Sequence, residues 1–311
     1  MKSLHTLQHL GTPALVAAFA SALVGITVVI GSRRLEHCAP AVQSRLLMAA
    51  ALTPVFLTTI IFTASVADWL LLSGPADFCL EQSDSSHPSI SLLLLFSFFF
   101  SRVAILGFRF ATDVRRAANA NHAFQGASTG AFAGCRVLPI DEPQAFVLGI
   151  LKPHVYLSQG LLATLHPDDL RLVLAHEKAH ARRRDPLRRF VAAVGLLFHL
   201  PGIAAMLNRK LARSQEMTAD AEAANKVDER PKLAEALVRF ARLRVSPATI
   251  ARMEFLNGDL EARVHELLDS SPRNNEPSIS LIISGFIALC VLSFFAAHLL
   301  HHLSISLLKL P

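Results

Sequence analysis

The chain has 311 residues, of which 52 % are hydrophobic and 17 % charged, and its mean hydropathy is +0.42. This composition is too apolar for an ordinary soluble domain and indicates several membrane spans. The formal net charge of +6 fits basic loops that face an anionic lipid leaflet, and it requires no nucleic-acid partner. The cysteines form no CxxC pair, which favours neither a disulfide nor a thiolate metal site: Cys38, Cys79, Cys135 and Cys290.

Four apolar stretches are long enough to cross the hydrocarbon layer of a bilayer, which takes roughly 20 apolar residues. Arginines follow the first and third stretches, whereas the loop after the second, Ser73–Ser89, has neither lysine nor arginine. Because positive charge accumulates in cytoplasmic loops, we expect both termini outside and the residues after the third stretch in the cytosol. The expected spans are Gly11–Ile30, Leu46–Leu72, Ile90–Phe108 and Ser278–Leu300.

Residues 111–275, between the third and fourth spans, have the patterning and size of one globular domain. The segments CRVLPI, AFVLGI and HVYLS predict short β-strands, and HPDDLRLVLAHEKAHARRRD predicts a helix that starts near Pro167 and ends before Pro186. The expected fold class is a mainly α integral membrane protein. Residues 1–110 hold three transmembrane helices, 111–275 form a cytosolic α+β domain, 278–300 form the fourth transmembrane helix, and 301–311 form a short external tail.

The predicted helix carries the pattern H-E-x-x-H as His176, Glu177 and His180. Residues four apart share a helix face, so both imidazoles can bind one cation at about 2.0–2.1 Å. The glutamate beside the first histidine can then take a proton from activated water and deliver it to a leaving amine. This spacing predicts a catalytic zinc site with Glu177 as general base; the alternative is a helix end with surface histidines.

A catalytic zinc site needs a third protein ligand. The extended form of the motif fails, because Arg183 and Pro186 stand where it has glycine and histidine. The segment RSQEMTADAEAA offers Glu216, and Asp220 lies one helical turn further along on the same face. We therefore predict that Glu216 is a ligand and that Asp220 bonds the outer nitrogen of a ligand histidine and fixes its tautomer.

Two other residues leave alternatives open. Asp185 either supports a ligand histidine in the same way as Asp220 or neutralises Arg182–Arg184. His199 is a rival third ligand, but it lies in an apolar run, which favours a packed histidine instead.

The apolar stretch Val191–Leu207 could be mistaken for a fifth span. It is short and contains His199 and Pro201. If it crossed the membrane once, His176 and Glu216 would lie on opposite sides and could not share a metal. We therefore expect the stretch to dip into the membrane, to lie at its interface, or to pack as a buried helix.

The predicted strands suggest how a peptide could be held. A strand edge beside a zinc site can take an extended peptide as an added strand, although these strands could equally serve only to complete a small sheet. Tyr156 and His265 are possible helpers for an oxyanion.

The segment PQAFVLGILKPHVYLSQGLLATLHPDDLRLVLAHEKAHARRRDPL resembles the signature of the BlaR/MecR-type membrane zinc peptidases, family fifty-six of the metallopeptidases. These are bacterial β-lactam sensor–transducers and their relatives. The later RSQEMTADAEAA and LEARVHELL are also similar to the pattern of that family, so the resemblance covers roughly Ala145–Leu268 in motifs and the whole chain in its arrangement of spans.

The resemblance implies a gluzincin-type zincin domain in a bacterial inner membrane. It implies one Zn²⁺ per chain on His176, His180 and Glu216, with Glu177 as base and Asp220 as a supporting acid. It also implies cleavage of a cytosolic transcriptional repressor as the protein substrate, with or without prior self-cleavage. The other expected partners are the lipid bilayer, a membrane sensor and a second copy of the chain.

The chain departs from the best-known members of that family, which carry a large external penicillin-binding domain with a nucleophilic serine in S-x-x-K. Here HHLSISLLKLP follows the last expected span and the second external loop is short, so we expect no β-lactam sensor in this chain. An HtpX-type quality-control protease, which shares H-E-x-x-H and a later E-x-x-x-D, is the nearest alternative. The three preceding spans and RRRDP after the motif favour the first family. A non-catalytic metal-binding scaffold is the third alternative.

Overall fold

The computed structural model describes residues 17–72, 131–243 and 253–269, together with scattered residues between 100 and 119 and between 287 and 295. The N-terminal part forms three helices: α1 (Ala17–Ile30), the short α2 (Ser32–Glu36) and α3 (Pro40–Leu72). Proline is favourable in the first turn of a helix, because its missing N–H would have no intrahelical partner there. This explains why α3 begins at Pro40, ahead of the predicted Leu46.

The described residues contain one helical segment that is long and apolar enough to cross a membrane, Pro40–Ile60 of α3, with a mean hydropathy of 1.3. The helix α1 is apolar but shorter. The second predicted span therefore coincides with α3, and the first coincides in part with α1. The predicted spans Ile90–Phe108 and Ser278–Leu300 fall mainly outside the described residues, so the arrangement of four transmembrane helices stays a prediction.

A four-stranded sheet follows, in the order β1-β2-β4-β3. The pair β2–β4 is parallel, and the pairs β1–β2 and β3–β4 are antiparallel. The predicted segments CRVLPI, AFVLGI and HVYLS correspond to β2, β3 and β4, whereas the two-residue β1 is too short for a pattern. The strands are β1 (Ala131–Phe132), β2 (Cys135–Leu138), β3 (Ala145–Leu148) and β4 (His154–Ser158).

Six helices complete the described fold: α4 (Gln159–Thr164), α5 (Pro167–Arg183), α6 (Asp185–Leu196), α7 (Pro201–Ala223), α8 (Glu229–Leu243) and α9 (Met253–Leu268). Pro167 starts α5, and Asp168 and Asp169 lie in its first turn, where the positive end of the helix dipole favours acids. Arg184 ends α5 with a left-handed backbone, φ 54° and ψ 46°, so the chain turns sharply before α6.

One face of the sheet supports α5. Alternate side chains of the strands, including Cys135, Val155 and Leu157, pack against Leu170 and Val173 of α5 in one buried cluster. Burial of these apolar groups fixes the helix across the sheet. On the other side, α8 and α9 cover α5 and α7 through a second cluster: Leu172, Ala223, Ala224, Leu233, Ala234 and Leu267.

The apolar stretch Val191–Leu207 is divided between two helices. Here α6 ends at Leu196 and α7 begins at Pro201, so the chain reverses direction between them. We call this unit the α6–α7 hairpin, residues 185–223. We call the end of the hairpin at which α6 stops and α7 starts its tip. The tip packs against α1 and α3 in a third buried cluster: Val24, Leu47, Ala51, Ala192, Leu196, Leu207 and Leu211. Because the chain reverses, α5 and the far end of α7 lie side by side.

Candidate metal centre

His176 and His180 lie one turn apart on α5, and each is only 8 % exposed. Their Nε2 atoms are 3.1 Å apart, and the rings meet edge to face with centroids 4.7 Å apart. The third member comes from α7: Glu216 Oε2 lies 3.4 Å from His176 Nε2 and 3.6 Å from His180 Nε2. Ligand atoms about 2.0–2.1 Å from a tetrahedral zinc ion are separated by roughly 3.3 Å. The described cluster therefore has the spacing that a metal ion requires.

The outer nitrogens of both imidazoles face carboxylates. His180 Nδ1 donates a hydrogen bond to Asp185 Oδ2 at 2.6 Å, and His176 Nδ1 lies 2.9 Å from Asp220 Oδ1. A proton on each Nδ1 leaves the two Nε2 lone pairs pointing at each other and at the Glu216 carboxylate. Such an arrangement of electron pairs is repulsive unless a cation lies between them.

The pKa shifts of the cluster have the same origin. Burial alone lowers the pKa of His176, but hydrogen bonding to Asp220 and Glu216 outweighs it and raises the pKa to about 9. For His180, burial likewise lowers the pKa, but Asp185 and Glu216 raise it overall. Burial raises the pKa of Glu216, yet the two histidines hold it well below its usual range. The carboxylates around the two imidazoles therefore favour positive charge at this position.

Glu177 lies on the same helix beside the cluster. Burial raises the pKa of its carboxyl group, opposed by His176 and His180. Lys178, the next residue, donates a hydrogen bond from Nζ to the carbonyl oxygen of Ala133 at 2.8 Å. This bond ties the turn between β1 and β2 to the part of α5 that carries Glu177.

Three arginines around the cluster were not assigned a role from the sequence. Arg263 of α9 makes two hydrogen bonds of 2.7 Å to the carboxylate of Asp220. Arg183 donates to Asp185, and Arg189 donates to Glu216 Oε1 at 2.8 Å. Each carboxylate that contacts a histidine is thus paired with a guanidinium, and Arg263 also lies 3.6 Å from Glu216 Oε2. These positive charges compensate the cost of burying the carboxylates.

The Asp185 carboxylate contacts both His180 and Arg183, so it lies next to one residue from each of the two alternatives, and its role stays a prediction. Arg182 turns elsewhere and pairs with Glu222. In the sequence, the run RRRD directly after H-E-x-x-H was the signal that could have indicated a contact between Arg183 and Asp185. Arg263 lies in the segment LEARVHELL, whose resemblance to the family pattern was the only signal for it in the sequence.

Other residues considered from the sequence lie away from the cluster. His199 is 1 % exposed at the hairpin tip, with its ring nitrogens 3.1 Å from Ser21 Oγ and 3.2 Å from the carbonyl oxygen of Ala51. Tyr156 alternates with the residues of β4 that face α5, and its hydroxyl accepts a hydrogen bond from Arg136. His265 is two residues from Arg263, so it projects from a different side of α9 and lines a cavity with Lys210.

Two histidines on one turn of a helix, a glutamate between them and a second glutamate from a later helix are the arrangement of a metallopeptidase centre. The family model described as BlaR1 peptidase M56 matches residues 137–267. This match confirms the resemblance to the BlaR/MecR-type peptidases, a family of membrane-associated metallopeptidases. The matched region runs from β2 to α9 and contains the whole cluster. No curated protein matches the chain.

Proposed function

We propose that the protein is a membrane-embedded zinc endopeptidase that hydrolyses peptide bonds on the cytosolic side of a bacterial inner membrane. The observation that carries the proposal is the spacing of His176 Nε2, His180 Nε2 and Glu216 Oε2, with Glu177 on the same helix. The match of residues 137–267 to a metallopeptidase family supports it independently.

The proposed mechanism assigns a task to each residue. His176, His180 and Glu216 would hold zinc, which when bound supplies a Lewis acid that acidifies water and polarises a carbonyl group. Glu177 accepts the proton of the attacking water and passes it to the leaving amine. Asp220 and Asp185 keep the Nδ1 protons in place, so that both Nε2 atoms stay available.

The substrate would dock along the edge of β1. The order β1-β2-β4-β3 places β1 at one edge, and the Lys178–Ala133 hydrogen bond holds its turn beside Glu177. An extended peptide can add to such an edge through backbone hydrogen bonds. Phe132, which is 42 % exposed on β1, offers an apolar contact for a substrate side chain.

Glu177→Gln tests the chemistry. We expect the full-length variant in detergent to keep about one zinc per chain and to lose at least about a hundredfold in the rate of cleavage of an unfolded labelled protein, because an amide cannot shuttle the proton. Metal analysis and the cleavage assay measure the two quantities. Glu235→Gln, the same change at an exposed residue of α8, is the matched control.

The ligand set is tested in the same preparation. Glu216→Ala should lose most of its zinc, whereas His199→Ala should keep it. Retained turnover in Glu177→Gln would contradict the mechanism. Full zinc in Glu216→Ala together with loss in His199→Ala would contradict the ligands.

For the substrate, we propose a cytosolic transcriptional repressor, with the input coming from a membrane sensor partner or from the bilayer. The BlaR1 family match supports a signalling protease over an HtpX-type quality-control protease. A signalling protease cuts very few proteins and changes the transcription of a small gene set, whereas a quality-control protease cuts many unfolded ones.

The profile of new protein N-termini in cells that produce native or Glu177→Gln protein distinguishes these functions. We expect a small set of sites that depend on Glu177, one of them in a DNA-binding repressor. Dozens of unrelated cuts in membrane proteins, with no repressor among them, would refute the signalling assignment.

A further inference from the structure

Arg189 holds one oxygen of Glu216 away from the histidines. Its NH2 group donates to Oε1 at 2.8 Å, whereas Oε2 is the oxygen that faces the two Nε2 atoms at 3.4 and 3.6 Å. The Nε of the same guanidinium donates to the side-chain oxygen of Gln215 at 3.0 Å, and Gln215 is fully buried. Gln215 and Glu216, neighbours on α7, therefore hold the guanidinium of Arg189 in place, although the Arg189 side chain is 51 % exposed.

The position of Arg189 follows from the turn at Arg184. That turn starts α6 at Asp185, and Arg189 lies four residues later on the same face of the helix. Asp185 contacts His180, and Arg189 contacts Glu216. One face of α6 thus orients two members of the cluster, one through an imidazole and the other through a carboxylate.

The coordination of the carboxylate matters for catalysis. A glutamate can bind a cation through one oxygen or through both, and the second oxygen would occupy a position next to the metal. Catalytic zinc sites have three protein ligands and an open position for water or substrate. A hydrogen-bond donor on Oε1 opposes the two-oxygen arrangement, because it engages the lone pairs that would turn towards the metal.

We propose that Arg189 is a positioning residue that restricts Glu216 to a single-oxygen contact with the metal and so keeps the fourth coordination position open. The inference rests on the proposed metallopeptidase function. It assigns Arg189 a role that differs from those of Arg183 and Arg263, whose shortest contacts are to the supporting acids Asp185 and Asp220. Arg263 also lies 3.6 Å from Glu216, but from Oε2 and not from Oε1, the oxygen that Arg189 holds.

The test uses the full-length protein in detergent with Co²⁺ in place of zinc, because the visible spectrum and X-ray absorption of cobalt report its coordination number. Arg189→Ala should bind about one cobalt per chain but change from a four-coordinate to a five-coordinate spectrum. Its kcat should fall about tenfold, the scale of effects from groups that orient ligands, while KM stays nearly constant. Arg189→Lys retains one positively charged donor group, so its cobalt spectrum should lie between those of the native protein and Arg189→Ala. Arg182→Ala, at a residue that pairs with Glu222, is the matched control.

The outcomes separate the two proposals. If the native protein binds no metal, the proposed function fails. If the native protein is active and the Arg189→Ala variant has the same cobalt spectrum and the same kcat as the native protein, the positioning role of Arg189 is refuted. If Arg189→Ala and Arg189→Lys lose metal and activity in proportion, with a native spectrum in the bound fraction, Arg189 serves affinity alone and the inference is equally refuted.

Discussion

Asp220 has a demanding environment, because its carboxylate is buried and carries charge. Its side chain is 2 % exposed, and Arg263 meets it with two hydrogen bonds of 2.7 Å. Burial raises the pKa of Asp220, but Arg263 and His176 outweigh it and hold the pKa below its usual range. The negative charge that orients His176 is therefore stabilised from outside the cluster, by a residue of α9.

Removal of one partner of this pair should be costly. We expect Arg263→Gln to lower the free energy of unfolding by about 3 kcal/mol, because it leaves a buried charge without compensation. Asp220→Asn should cost a similar amount, and the double variant should cost less than the sum of the two. Thermal unfolding in detergent, followed by circular dichroism, measures the series.

The surface pair Arg239–Asp169 gives the matched control. It has the same two-bond geometry, at 2.7 and 3.1 Å, but the arginine side chain is 50 % exposed. Arg239→Gln should therefore cost no more than about 1 kcal/mol. If Arg239→Gln and Arg263→Gln lower the free energy of unfolding by the same amount, burial does not strengthen the Arg263–Asp220 pair.

At the scale of single residues, the sequence predicted positions that lie close together along the chain. His176 and His180 are four apart on a helix, as are Glu216 and Asp220, so helical geometry alone puts each pair on one face. Arg189 and Arg263 reach the cluster from 27 and 43 residues away from their partners. No local pattern encodes such contacts, because they depend on how α6, α7 and α9 pack.

Among the elements, the α6–α7 hairpin links the N-terminal helices to the cluster. At its tip, Ser21 Oγ of α1 accepts a hydrogen bond from the backbone N–H of Leu200 at 2.9 Å. Gly195 lies so close to α3 that an added Cβ would meet the carbonyl oxygen of Ala51 at 2.5 Å. At the other end, α6 carries Asp185 and Arg189, and α7 carries Glu216. A shift of the tip relative to α3 therefore moves the groups that orient the cluster.

Gly195→Ala should disturb this packing. The methyl group forces α6 away from α3, and we expect a loss of about 1–3 kcal/mol in the free energy of unfolding, together with weaker zinc binding. Gly202→Ala on α7 is the control, because no atom lies within 4 Å of the added Cβ and alanine favours a helix. Thermal unfolding and competition with a zinc chelator measure both variants. Native zinc affinity in a destabilised Gly195→Ala protein would refute the coupling between tip and cluster.

The hairpin also marks the limit of pattern-based prediction of elements. The apolar run Val191–Leu207 has no periodicity that distinguishes a span from two buried helices. The arguments against a single crossing were its short length, His199 and Pro201 within it, and the need for His176 and Glu216 to lie on the same side of the membrane. Pro201 indeed begins α7. The strand β1 escaped prediction because two residues cannot establish an alternating pattern, although it lies at the sheet edge along which we propose that the substrate docks.

At the scale of the whole molecule, the distribution of lysine and arginine predicts which side of the membrane holds the cluster. We expect a cysteine placed at Ser85, which lies outside the described residues, to react with a membrane-impermeant maleimide in intact cells. A cysteine at Val227, which is 74 % exposed between α7 and α8, should react only after permeabilisation.

The labelling experiment needs a background in which the native cysteines are replaced by alanine, and the denatured protein gives the maximal labelling for each position. Reaction of position 227 from outside would place the cluster on the external face and exclude a cytosolic repressor as the substrate.

The burial of the hairpin tip has a practical consequence for recombinant expression. The family match begins at residue 137, so a fragment that starts there would contain the whole cluster. Such a fragment would lack Ser21, Val24, Leu47 and Ala51, which surround His199, Leu196 and Leu207. The apolar side chains of Ala192, Leu196, Leu207 and Leu211 would then lose these contacts, on the two helices that carry Asp185, Arg189 and Glu216. We therefore expect that a chain that keeps α1 and α3, purified with detergent or lipid present from the first step, holds the cluster in its native arrangement, whereas the shorter fragment does not.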